Sequence, residues 1–188
     1  MQNFLFNFFV LISTLGGATI MIISSLIVAL IIFFYHKEKR LAGFFFFNYM
    51  SVIAIVTILK NIIKKPRNPL ALVYENSYAF PSGHTAVAMI TLLLVFYLSR
   101  FIKNKFWKNF SRILAIVWLF LIISARLYLK VHDIYDIIAS LIISTLIYYY
   151  SLNIKIFSKS ILKSEFKKVE KITTEKKKEI ENEFKRYE

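Results

Sequence analysis

Charged residues are absent from three long stretches of this chain, 1–35, 41–59 and 137–154. The apolar residues inside them run continuously rather than at the spacing of an amphipathic helix or strand. Each stretch is long enough to cross a hydrocarbon core of about 30 Å. In lipid a backbone must satisfy its own hydrogen bonds, so continuous apolar stretches of this length predict spanning helices. The first stretch is too long for one helix, which would reach roughly 50 Å at about 1.5 Å per residue. Gly16-Gly17 is the expected break, dividing an interfacial helix over 3–15 from a first span over 18–35. Further spans are predicted over 41–59, 83–98, 113–129 and 134–153. No basic residue precedes the first apolar run, so a cleaved signal peptide is not expected. The tail, 155–188, is charged and repeats Glu and Lys at spacings of three and four, which favours a solvated helix. The expected fold class is all-α: an integral membrane bundle of about five transmembrane helices, an N-terminal interfacial helix and a charged C-terminal cytoplasmic helix. The expected units are 1–15, 16–153 and 154–188.

Composition agrees with a membrane protein and excludes a soluble one. Hydrophobic residues make up 57% of the 188 positions and aromatic residues 17%, leaving too little polar surface to face water. The absence of cysteine rules out disulfides, a thiolate metal site and a thiol nucleophile. A net charge of +14 would point to nucleic acid in a soluble protein, but here its placement follows the membrane. Nineteen of the 25 basic residues fall in the loops 36–40 and 99–112 and in the tail, and six fall on the opposite side. The positive-inside rule puts the richer side in the cytoplasm and the N-terminus outside. A bacterial plasma membrane is the expected location, its anionic lipids the partner of the cytoplasmic charge, and no nucleic-acid partner is expected.

The six outward cations, Lys60, Lys64, Lys65, Arg67, Arg126 and Lys130, are not explained by topology. They lie beside His84 and His132 and three of the four acids outside the tail, Glu75, Asp133 and Asp136. Ionisable groups at membrane depth are costly, and their clustering marks a functional site. Three segments carry the cluster: Lys60 to Arg67 where the second span emerges, Pro81-Ser82-Gly83-His84 opening the third, and Arg126 to Asp136 bridging the last two. Their chemistry suits a phosphate. Lys60, Arg67 and Arg126 offer cationic donors. Ser82 can cap a helix whose free amides favour an oxyanion, and Gly83 lets an anion approach the backbone. His132 and Asp136, four apart, share one helix face if the last span begins nearby. A carboxylate on one ring nitrogen then leaves the other free to attack phosphorus, with His84 available to protonate the leaving oxygen. Taken singly, Arg126 also fits an interfacial anchor, and His132 with Asp136 also fits a structural hydrogen bond.

Together the segments resemble the three-part signature of the type 2 phosphatidic acid phosphatase superfamily, which includes vanadium haloperoxidases. The pattern is Lys-x6-Arg-Pro, Pro-Ser-Gly-His and Ser-Arg-x5-His-x3-Asp. Lys60 and Arg67 match the first part, residues 81–84 the second, and Arg126, His132 and Asp136 the third. Asn68 stands where the pattern has Pro, and Ala125 where it has Ser. The chain is similar to the integral membrane lipid phosphatase branch, which includes bacterial phosphatidylglycerophosphatase B and undecaprenyl pyrophosphate phosphatases. The resemblance implies a nucleophile at His132 oriented by Asp136, an acid at His84, and phosphate held by Lys60, Arg67, Ser82, Gly83 and Arg126. It implies a lipid phosphate substrate, and neither metal nor cofactor. A vanadate-dependent haloperoxidase and a non-enzymatic lipid-phosphate carrier are the alternatives. Members often have six spans, so the N-terminal helix is expected to stand in place of the first. The loop 68–80, with Tyr74, Glu75 and Tyr78, is expected to shape substrate choice.

Overall fold

The computed structural model describes residues 2–35 and 39–154, with six isolated tail positions at 167, 171, 174, 175, 178 and 180. The expected tail helix lies outside the described residues except at those six positions, which are helical. Two α-helices, α1 (Gln2–Leu15) and α2 (Ala18–Tyr35), meet at the Gly16-Gly17 break. They are followed by α3 (Lys39–Ile63), α4 (Gly83–Leu98), α5 (Lys105–Tyr128) and α6 (Ile134–Asn153), with one 3-10 turn after α4.

Helices α3, α4 (continued by its 3-10 turn), α5 and α6 are each long and apolar enough to cross a bilayer. The α1–α2 pair, bent by 47° between Asn3–Leu15 and Thr19–Val28, makes a fifth candidate as a broken span or re-entrant segment. Large apolar side chains face outward along the bundle, among them Ile58 on α3, Ile113, Leu114 and Phe120 on α5, and Ile142 and Leu146 on α6. Such a belt is stable only with lipid as solvent, so this is an integral membrane protein.

Two boundaries differ from those read off hydropathy. Helix α3 runs a turn beyond residue 59 and carries Lys60 on its last turn. Helix α5 begins at Lys105, two turns before the predicted span, with Asn104 capping the amides of Phe106 and Trp107. Hydropathy marks where lipid begins, whereas a helix continues into the headgroup layer until a cap stops it. The exposed Phe106, Trp107 and Phe110 beside Lys105 and Lys108 are what an aromatic and basic interface requires.

Helix α4 sits centrally, packed on α3, α5 and α6. Its buried face is built from Thr85, Ala86, Val87, Ala88, Ile90, Leu94 and Tyr97. Lipid supplies no hydrophobic drive between helices, so small residues and internal hydrogen bonds hold the seams. Ser144 of α6 donates to the Ala86 carbonyl at 2.9 Å, and Ser151 donates to Asn48 of α3 at 3.0 Å. Helix α1 packs on the Tyr128 end of α5, with Phe9 against Tyr128 at 4.6 Å between ring centroids. Gly16 permits that approach, because a Cβ there would stand 2.1 Å from Ile122 Cδ1.

Candidate active site

The site is assembled where α3 ends and α4 and α6 begin. Lys60, on the last turn of α3, donates its ammonium to the Tyr78 carbonyl. Lys64 then takes a positive φ of 50° and turns the chain out of the helix. The following loop folds back on itself. Arg67 donates to the Ser77 carbonyl at 2.7 Å, the Ser77 hydroxyl at 3.0 Å and the Val131 carbonyl at 3.0 Å. Asn68, the departure from the signature's proline, accepts from the Leu70 amide at 2.9 Å, so an Asx turn stiffens the position instead.

Helix α4 starts on Ser82, whose side chain accepts from the Thr85 amide at 3.5 Å and the Thr85 hydroxyl at 3.0 Å. The Ser82 amide donates to the Asp136 carbonyl at 3.3 Å, tying the starts of α4 and α6 together. Helix α6 starts on Asp133, which accepts from the amides of Tyr135 and Asp136, while Asp136 returns a bond to the Asp133 amide. This capping box holds the Asp136 carboxylate at the helix start. One of its oxygens faces His132 Nδ1 at 3.3 Å, and the other accepts from Lys65 at 2.7 Å. With Nδ1 donating to the carboxylate, Nε2 is left as the free, nucleophilic nitrogen.

Five of the eight residues named from the sequence, Lys60, Arg67, Gly83, His84 and His132, line one cavity of about 360 Å³. The remaining three stand behind the wall. Asp136 acts on the cavity through His132, Ser82 is sealed beneath the α4 cap, and Arg126 is fully buried. Arg126 donates to Ser13 of α1 at 2.6 Å and to Glu75, and its Nε is a buried donor with no partner among the described residues. Its partner Glu75 lines the cavity, and an orphaned buried donor on the same guanidinium fits an anion that completes the site. The cavity also has an apolar flank, Val52, Ile53 and Val56 of α3 with Val87 of α4.

The electrostatics follow from burial. His132 is pushed down to about 4, mainly by burial and further by Arg126, Arg67 and Lys60, against the opposing pull of Asp136. It is therefore a neutral base at pH 7. Burial works against the charge on Glu75, but Arg126 and Arg67 outweigh it and hold the carboxylate below its ordinary range. Burial likewise opposes the charge on Lys65, and Asp133 and Asp136 outweigh it in the other direction.

A family model described as the PAP2 superfamily matches residues 41–159. The chain belongs to the PAP2 superfamily. The matched region contains all eight residues named from the sequence and excludes α1, so Ser13 reaches the buried PAP2 arginine from outside it. Among solved structures the chain is similar to one titled the crystal structure of the first transmembrane PAP2 type phosphatidylglycerolphosphate phosphatase from Bacillus subtilis. Identity is 25% and the TM-score 0.72, over 80% of this chain and 76% of that one. No curated protein matches the chain. In the sequence Lys65 is one outward cation among six and nothing marks Ser13, yet Lys65 bonds Asp136 and Ser13 bonds Arg126. Glu75 was named for substrate choice, whereas its carboxylate lies between two signature arginines. Tyr78 lines the cavity, while Tyr74 is almost fully exposed and does not.

Proposed function

We propose that this PAP2 protein is a membrane lipid phosphatase that hydrolyses a lipid phosphomonoester or pyrophosphate through a phosphohistidine. The observation that carries the reading is the single cavity shared by two imidazoles, two cationic side chains and an apolar flank. A phosphate headgroup fits the polar end, and the first part of a lipid chain fits against Val52, Ile53 and Val56. The likeness to a phosphatidylglycerolphosphate phosphatase supports that substrate class.

In the first step His132 Nε2 forms a bond to the terminal phosphorus while the bond from phosphorus to the lipid or pyrophosphate oxygen breaks. The departing oxygen keeps the electron pair and takes a proton from His84. Asp136 stabilises the positive charge on the phosphorylated ring, and Lys65 holds that carboxylate in place. In the second step His84, now neutral, takes a proton from water as the water oxygen attacks phosphorus. The P–N bond breaks, its electron pair returns to His132, and inorganic phosphate leaves. Lys60, Arg67 and Arg126 neutralise charge on the transferring group, the largest source of catalysis in phosphoryl transfer. They fill the part a metal plays elsewhere, so the reaction proceeds without one. The site opens on the extracytoplasmic side of a bacterial plasma membrane.

The test is phosphate release by purified protein in detergent from phosphatidylglycerophosphate, undecaprenyl pyrophosphate, phosphatidic acid and lipid A phosphate, with chelator present throughout. At least one lipid should yield phosphate, and His132→Ala should lower that rate by more than about a thousandfold. Turnover of all four that is absent in the wild type, or intact in His132→Ala, contradicts the proposal.

A further inference from the structure

Glu75 lies on the loop between α3 and α4, and it is the carboxylate that lines the same cavity as both imidazoles. One of its oxygens stands 2.7 Å from Arg67 Nη2, and the other accepts from Arg126 Nη2. The two guanidiniums come from separate elements, a loop and the end of α5. A carboxylate with one oxygen on each reproduces two oxygens of a phosphate in the same seat. Charge points the same way. Lys60, Arg67 and Arg126 with Glu75 leave two positive charges, matching a phosphomonoester dianion, whereas without Glu75 there are three. A fully buried arginine with no counter-anion is strongly unfavourable, so the empty site needs a negative group.

We propose that Glu75 is the resident counter-anion of the phosphate seat. It orients the two arginines while the site is empty, competes with phosphate oxygens for their N–H donors, and keeps the product inorganic phosphate weakly held. The proposal rests on the phosphatase reading and extends it from bond cleavage to product release. Three fixed cations alone would hold inorganic phosphate as firmly as the substrate headgroup. A carboxylate on a loop, able to return to the guanidiniums as phosphate leaves, loosens the product without removing the cations that the reaction uses.

Calorimetric binding of inorganic phosphate, with orthovanadate as a second probe, tests this on purified wild type, Glu75→Gln and Glu75→Asp. Glu75→Gln keeps the shape and removes the charge, and it should bind phosphate at least about tenfold more tightly, the scale of one close charge pair. It should also show correspondingly stronger product inhibition during turnover. Glu75→Asp keeps the charge on a shorter stem and should bind about threefold more tightly than wild type. Equal or weaker binding by a folded Glu75→Gln overturns the proposal. If that variant does not fold, equal or weaker binding by Glu75→Asp overturns it instead. Wild-type protein that binds neither phosphate nor vanadate overturns the phosphatase reading itself. Binding by wild type with no tightening in the variants overturns the role of Glu75 alone.

Discussion

His132 and Asp136 are four residues apart, and the start of α6 converts that spacing into an oriented pair. The pair was legible from its spacing of four, although His132 stands just before the Asp133 cap and only Asp136 lies within the helix. Lys65, which holds the other oxygen of Asp136, was not, since it reaches across from a loop 71 positions away and no local pattern marks such a contact. Ser82 shows the opposite case. Its capping role was legible locally, and its buried hydroxyl accepts from Thr85 at the start of α4. The depressed His132 ring gives a residue-scale prediction. In NMR of histidine-labelled protein its imidazole should titrate near 4 rather than at the ordinary 6.5. The sign for stability follows: the unfolded ring takes a proton first, so its contribution is complete above pH 6.5 and declines as pH falls toward about 4. A His132 titration at 6.5 or above contradicts the buried, neutral nucleophile.

The elements were legible where their termini carry local chemistry. Helix α4 starts after Ser82 and α6 after Asp133, both capping residues, and both starts fall where the sequence puts them. The early start of α5 was missed because hydropathy registers lipid and not the cap at Asn104. The docking of α1 was also invisible, since it depends on a glycine meeting Ile122 across more than a hundred positions. Gly16→Ala should drive a methyl into the fully buried Ile122 side chain, lowering stability by about 1–3 kcal/mol. Thermal unfolding in detergent should show the loss, and Ile122→Val, which removes the clashing Cδ1, should restore part of it in the double variant. An unchanged melting temperature in Gly16→Ala would show that α1 does not pack on α5 as described.

At the scale of the whole molecule, membrane class followed from uncharged stretches, a property summed over the chain. The convergence of the site is different, because it depends on α3, α4, α5, α6 and a loop meeting at one end of the bundle. The sequence supplied the spacing within each segment, and packing brought the segments to one cavity. The catalytic claim therefore belongs to the assembled bundle: a phosphate seated between His84 and His132 passes through a covalent bond to His132. Rapid alkaline quench of the enzyme during turnover of a lipid labelled in its terminal phosphate tests it most directly. The predicted result is a base-stable, acid-labile label mapping to His132 in the wild type and absent from His132→Ala. Release of labelled phosphate at full rate with no label on His132 would contradict the account.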